Sequence, residues 1–262
     1  MIWKFIRYFF SAKNEHSLHS PFVFQLYTQV IQPKKLLEPL VFQAIEAIRK
    51  RLLQDNTQIE IQDYGAGSKV NNSPKRSVRQ ITRNAEKPVK FARLLYRLVQ
   101  HFSPNTVFDL GTSLGMTTAY LAKAKPNTQL FTFEGCPQTA AIARQHFESL
   151  GCQNIQLVVG NLDETLPKQV QAINQLDFAF FDANHRYEPT VRYFETCLQK
   201  AHNDSLFVFD DIHWSTEMEA AWAYIKAHPS VTVTIDLFAV GLVFFRKQQP
   251  KQDFVLRWPF WK

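Results

Sequence analysis

Five near-continuous apolar runs, each closed by a polar or glycine-bearing turn, set the limits on this chain: "TVFDLG", "QLFTFEG", "IQLVVGN", "LDFAFFDAN" and "SLFVFDD". These runs hardly alternate between apolar and polar residues, so strands built from them must be covered on both faces, as in a parallel sheet. Between them lie segments with helical spacing, "MTTAYLAKA" and "PQTAAIARQHFESLG", the second ending at Gly151, a natural C-cap. Strand and helix in alternation predict a sheet with helical crossovers. The end of the pattern differs. "VTVTIDLF" and "GLVFFRK" are separated only by Ala239 and Val240, a link too short for a crossover and suited to an antiparallel hairpin. The expected fold is therefore α/β: a doubly wound, Rossmann-like sheet whose last strand is antiparallel.

Upstream of residue 100 the chain reads as mostly helical. "LLEPLVFQAIEAIRKRLL" sets Leu40, Ile45, Ile48 and Leu52 at helical spacing, and "PVKFARLLYRLVQHF" does so with Phe91, Leu94, Leu95, Leu98 and Phe102. Between them, "GSKVNNSPKRSVRQITRN" reads as a basic loop. With 262 residues, 45% of them hydrophobic, the chain is long enough for one large domain with an appendage. The expected division is a helical extension over 1–87, the α/β domain over 88–249, and an aromatic tail over 250–262.

A net charge of +7 favours an anionic partner: nucleic acid, a membrane surface or an acidic small molecule. The basic stretch Lys69, Lys75, Arg76, Arg79 and Arg83 lacks the interleaved aromatics that stack on bases, which argues against nucleic acid and leaves an anionic substrate open. The start, "MIWKFIRYFF", has no signal-peptide cleavage pattern. It reads either as a helix whose aromatic face packs on the body or as one that makes peripheral contact with a membrane. Cys136, Cys152 and Cys197 form neither a zinc pattern nor a disulfide framework, so a reducing, cytoplasmic setting is expected.

Two stretches run apolar residues into Asp and a small-residue turn: "IQDYGAGSKV" and "VFDLGTSLGM". A nucleotide-binding turn needs a buried strand before it, small residues within it and a helix after it. Only the second has all three: Asp109 on the strand, Gly111 and Gly115 for close approach, and hydroxyls on Thr112 and Ser113. Gly65-Ala66-Gly67 is followed by polar residues and Pro74, and reads as a tight turn in the N-terminal part, the other reading being a turn that borders the substrate pocket. Glu134, about 20 residues beyond the glycines, ends the next strand, where an acid accepts from ribose hydroxyls; the other reading is a cap on the helix starting near Pro137.

With these residues the chain resembles the class I S-adenosylmethionine-dependent methyltransferases over about residues 88–247. "VFDLGTSLG", "FTFEG", "VVGNLDETLP" and "LDFAFFDANHRYEPTVRYFE" look like four successive family motifs; "DANHRYE" and "FDDIHW" look most like the O-methyltransferase branch that includes the catechol enzymes. The resemblance implies a seven-stranded sheet with S-adenosyl-L-methionine as cofactor. Asp109, Gly111, Thr112, Ser113 and Gly115 would shape its methionine end, Glu134 would bind the ribose, Gly160, Asn161, Leu162 and Asp163 would flank adenine, and Asp182 would lie near the sulfonium. It further implies methyl transfer to a small-molecule acceptor, an oxygen nucleophile by branch resemblance.

Such a transfer must usually remove a proton from oxygen. His185 lies three residues after Asp182 and, as an imidazole, is a candidate general base. Asp182, Asp210 and Asp211 end adjacent strands and offer oxygen ligands to Mg²⁺ or another divalent cation. His213 and Trp214 are candidates for the substrate wall. Two other readings stay open. Gly111 to Gly115 also fits G-x-S-x-G, a hydrolase elbow with Ser113 as nucleophile, Asp182 or Asp210 as acid and His213 or His228 as base. A methyltransferase fold kept only for binding, at a membrane or nucleic acid, is the other.

Overall fold

The structure, a computed structural model, describes residues 2–35, 39–62 and 75–258. Gly65-Ala66-Gly67, Lys69 and Pro74 lie outside the described residues, as do the last four residues of the expected tail. Contacts group the chain into two units, 1–35 with 169–262, and 36–168, a division that does not follow the boundaries at 87 and 249 read from sequence.

The first unit opens with helices α1 (Ile2–Ser11) and α2 (Pro21–Leu26), the latter with Pro21 in its first turn and Ser20 as N-cap. The unit 36–168 follows. Helix α3 (Leu40–Leu52) buries Phe42, Ile45, Ile48 and Leu52, an i, i+3, i+6, i+10 stripe, whereas Leu40 is 80% exposed. Phe42 therefore takes the place in the stripe that the sequence reading gave to Leu40. The segment read as a basic loop carries regular structure in its described part. Strand β1 (Gln58–Glu60) pairs antiparallel with β2 (Lys75–Ser77), and helix α4 (Val78–Ala85) starts at a capping box in which Ser77 and Gln80 satisfy each other's backbone N–H groups. Helix α5 (Val89–Phe102) buries Phe91, Leu94, Leu95 and Leu98 as expected, while Phe102 at its end is only half-buried.

The α/β pattern then begins: β3 (Thr106–Leu110), α6 (Met116–Ala124), β4 (Gln129–Glu134), α7 (Pro137–Ser149), β5 (Ile155–Val159) and α8 (Leu162–Ala172). The three strands are parallel, β4 lying between β3 and β5. Helix α7 ends with Gly151 just beyond it at φ 61°, the left-handed geometry that closes helices. A core of Phe42, Ile45, Ile48, Ile81, Tyr96, Leu114 and Tyr120 joins α3, α4, α5 and α6.

The remaining elements are β6 (Phe178–Phe181), α9 (Tyr187–Leu198), β7 (Leu206–Asp210), α10 (Thr216–Ala227), β8 (Val233–Asp236), β9 (Val240–Phe244) and β10 (Gln252–Val255). Strands β6 and β7 are parallel, and β9 runs antiparallel between β7 and β8. The expected hairpin is thus present, with Leu237, Phe238 and Ala239 as its link. A Cβ on Gly241 would lie 2.6 Å from the Trp222 ring, so this strand accepts the indole only because residue 241 has no side chain. Strands β3 to β10 make a mostly parallel sheet of eight strands. The eighth is β10, which pairs parallel with β8 and comes from the segment read as a tail.

Candidate active site

In the unit 36–168, strand β3 is buried to its end and delivers the chain to a turn with three left-handed residues: Gly111 (φ 123°), Ser113 (φ 48°) and Gly115 (φ 83°). The N–H groups of Gly111 and Thr112 donate to the Phe133 carbonyl at 3.2 and 3.0 Å, bending the turn over the end of β4. Gly115 opens α6, and a Cβ there would meet the Phe147 ring at 2.6 Å. Backbone conformation and space both require glycine at 115.

Below the turn, Asp109 is fully buried, and its Oδ2 accepts from the hydroxyls of Thr118 (2.6 Å) and Thr132 (2.9 Å). The Thr112 hydroxyl meets that of Thr132 at 2.6 Å. Asp109 and Thr112 thus brace the turn from inside. At the rim, the Ser113 N–H donates to Glu134 Oε2 at 2.8 Å and the Cys136 N–H donates to Oε1 at 2.9 Å. Of the two roles weighed from sequence, the cap is the one present: Glu134 accepts from the N–H of Cys136 just before α7, and its other oxygen ties down the glycine turn. The Gly160 N–H donates to the Glu134 carbonyl at 3.0 Å, and the Asn161 side chain accepts from the Asp163 N–H at 3.0 Å at the start of α8. Leu162 is half-buried and Asp163 exposed. The turn, Glu134 and residues 160–163 so converge at the carboxyl ends of three neighbouring strands, where ligands bind in sheets of this type.

One supporting residue escaped the sequence reading. His146 on α7 is buried, and its Nδ1 lies 2.8 Å from the Leu114 carbonyl inside the turn. Burial pushes its pKa down, with the Leu114 carbonyl working the other way, so the neutral ring is favoured with Nδ1 as donor. The available signal was position: His146 follows Thr139 and Ala143 on the buried face of α7.

In the other unit, Asp182 and Asp210 follow the register of the parallel pair β6 and β7, in which Phe181 faces Phe209. One ligand atom each from Asp182, His185 and Asp210 lies within 4.8 Å of the others, and His185 Nε2 is 3.4 Å from Asp182 Oδ1. Asp210 is buried and the other two half-buried. Asp211 is not in this group: it takes φ 53° and its N–H donates to the Ala239 carbonyl at 2.7 Å. His213, a candidate for the substrate wall, is held between acids, with Nε2 2.7 Å from Asp236 and Nδ1 3.3 Å from Glu219, and it stacks on Phe238. Trp214 is 44% exposed.

The hydrolase reading finds no support. Among the described residues Ser113 has no histidine partner, and its N–H is committed to Glu134. Both ring nitrogens of His213 face carboxylates, and His228 pairs with Glu195 at 3.6 Å.

Residues 108–212 match the family described as "Methyltransferase domain". The chain is 31% identical over 126 residues to a catechol O-methyltransferase of Niastella koreensis, a match covering 47% of this chain and 55% of that protein. It is 36% identical over 95 residues to the transmembrane O-methyltransferase homolog of Mus musculus, covering 35% and 36%. The chain thus spans about half or less of the length of these curated relatives. Among solved structures, the O-methyltransferase of Bacillus cereus in complex with SAH superposes with a TM-score of 0.56 at 16% identity, covering 85% of this chain and 97% of that one. An O-methyltransferase of tomaymycin synthesis from Streptomyces achromogenes, in complex with SAM, does so at 0.57 and 16%, covering 81% and 92%. Residues 108–212 are accordingly similar to the methyltransferase-domain family, on a fold shared with O-methyltransferases of known structure.

Proposed function

We propose that this protein transfers a methyl group from S-adenosylmethionine to an oxygen of a small molecule. The observation that carries the reading is the Glu134 carboxylate, tied by the Ser113 N–H to the glycine turn at the ends of β3 and β4. The residues present fit the nucleoside. A carboxylate oxygen accepts more than one hydrogen bond, so Glu134 can serve ribose hydroxyls while it holds the turn. The left-handed Gly111 and Gly115 keep Cβ atoms out of the turn, and Asn161 to Asp163 stand at the adjoining strand end. The cofactor supplies an electrophilic methyl on a sulfonium; this chain's part is to bind it, orient it and manage the acceptor's proton.

For that proton, His185 is the base and Asp182, 3.4 Å away, orients and stabilises its imidazolium. A second reading rests on the grouping of Asp182, His185 and Asp210. Two carboxylates and an imidazole fit a divalent ion that tolerates nitrogen, such as Mn²⁺ or Zn²⁺, better than Mg²⁺, which prefers oxygen throughout. Such an ion would lower the pKa of an acceptor hydroxyl. Asp211 would join it only if its chain turned away from Ala239.

A vicinal diol of the catechol type is the first acceptor to test, given the 31% identical relative. The +7 charge and the exposed Lys75 and Arg83 support an anionic variant of it. Three free cysteines support a cytoplasmic setting. The test is calorimetric titration with S-adenosylmethionine, then a labelled-methyl assay on diols and on cell extract, with and without chelator. Heat of binding and a labelled product are expected. Binding without any product would favour a scaffold, and no binding would end the proposal.

A further inference from the structure

Helix α1 carries two apolar stripes, and the fold uses one. Phe5, Tyr8 and Ala12 stand at i, i+3 and i+7 and face inward. Tyr8 and Ala12 are buried with Phe238, and Phe5 packs its ring 5.2 Å from that of Phe238. The Tyr8 hydroxyl donates to the Leu256 carbonyl, and Lys4 pairs with Glu219 at 2.7 Å. Trp3, Ile6 and Phe10 repeat the same spacing on the opposite side, at 82%, 36% and 81% exposure. Phe9, 46% exposed, borders them under the Arg257 guanidinium. A helix that only docks on the protein body needs one apolar stripe; the second, with two nearly bare aromatic rings, is turned to solvent.

We infer that this outer stripe lies in the surface of an anionic phospholipid bilayer. Three observations select that occupant. Cations surround the stripe: Arg7, exposed on the helix, Lys13 just beyond it, and Arg257 over Phe9. Neither Arg7 nor Lys13 forms an ion pair among the described residues. Lys13 and His19, with Ser11, Ser17 and Ser20, also line a cavity of about 360 Å³ that begins where α1 ends. Its hydroxyls and the Lys13 ammonium suit a phosphate headgroup, and the acid beside them, Asp253, already accepts from the Thr234 hydroxyl at 2.5 Å. Last, the bare part of the stripe amounts to roughly 500 Å² of apolar surface, short of the ~800 Å² per partner that a stable protein interface buries. Aromatic rings along one face with basic residues at its border are what an interfacial helix requires. No helix among the described residues is long and apolar enough to cross a membrane, and α1, at 10 residues, has the length to lie in the bilayer surface.

The full chain should therefore sediment with vesicles of phosphatidylcholine containing about a third phosphatidylserine, and its partition into pure phosphatidylcholine should be about tenfold weaker. Trp3→Glu/Phe10→Glu should lower binding to the anionic vesicles at least about tenfold, and Arg7→Glu/Lys13→Glu should abolish the preference for phosphatidylserine. All these side chains are outside the packed stripe, so both variants should melt with the wild type. Wild-type protein that stays in the supernatant with every vesicle overturns the inference. So does self-association without lipid that Trp3→Glu/Phe10→Glu abolishes, since a second copy would then be the occupant. Neither result bears on cofactor binding.

Discussion

The Glu134 carboxylate and the Ser113 N–H, 21 residues apart in sequence, meet at 2.8 Å, while the other oxygen of the same carboxylate holds the Cys136 N–H at 2.9 Å. One side chain thus sets the glycine turn relative to the start of α7. Glu134→Gln replaces one acceptor with an amide NH₂ that faces a backbone donor. Affinity for S-adenosylmethionine should fall at least about tenfold and stability by about 1–2 kcal/mol. Titration calorimetry and urea unfolding read the two effects; unchanged affinity would remove Glu134 from the cofactor site.

Gly115 and Gly151 separate two costs of glycine replacement. Both have positive φ, but an added Cβ meets the Phe147 ring at 2.6 Å at 115 and nothing within 4 Å at 151. Gly151→Ala should cost about 1 kcal/mol, the conformational penalty alone. Gly115→Ala should cost about 2–4 kcal/mol and weaken cofactor binding as the turn shifts. Equal urea midpoints for the two variants would show that Phe147 yields without cost.

His185→Gln should lower kcat about a hundredfold while affinity for S-adenosylmethionine stays within twofold. If the residue acts as base, the limb of the pH–rate profile that depends on it disappears and chelation leaves the wild type unaffected. If it acts as a metal ligand, chelation of the wild type reproduces the loss and added Mn²⁺ reverses it.

Stability should depend on pH through His213. Burial opposes its charging, but the hydrogen bonds and charges of Asp236 and Glu219 outweigh this and hold its pKa above the ordinary 6.5. For Glu219, burial works upward, yet Lys4 and His213 hold it below 4.5. A histidine with a raised folded-state pKa contributes fully below its unfolded value and loses that contribution as pH rises through the folded value. A depressed carboxylate contributes above its unfolded value and loses out as pH falls through its folded one. Together they place the greatest contribution between about 4.5 and 6.5. The urea midpoint of the wild type should decline between pH 6.5 and 8 more than that of His213→Gln; parallel curves would contradict it.

The strands and the glycine turn were legible because a strand covered on both faces leaves an unbroken apolar run, and a turn at its end leaves small residues. Side-chain direction within the turn was not. Thr112 and Ser113 are consecutive hydroxyls, and the positive φ of Ser113, together with Asp109 and Thr132 below, sends one inward and leaves the other at the rim. Asp211 looked equivalent to Asp210 because they are adjacent. What distinguishes them is a hydrogen bond to the Ala239 carbonyl in the hairpin link, a tertiary contact without a local signature. The capping box at Ser77 and Gln80 was present in the letters, but the charges around it made the segment read as loop. The strand role of 252–255 depends on the open flank of β8, which local pattern does not reveal.

That flank has a practical consequence. Without its partner, β8 would present a row of unsatisfied amides and carbonyls on a strand buried at all four positions. The present border, β10, begins instead with exposed Gln252 and Asp253, poor templates for another chain. Expression fragments that stop before Gln252 should accumulate as insoluble, cross-β material, even though every residue proposed to touch the cofactor is retained.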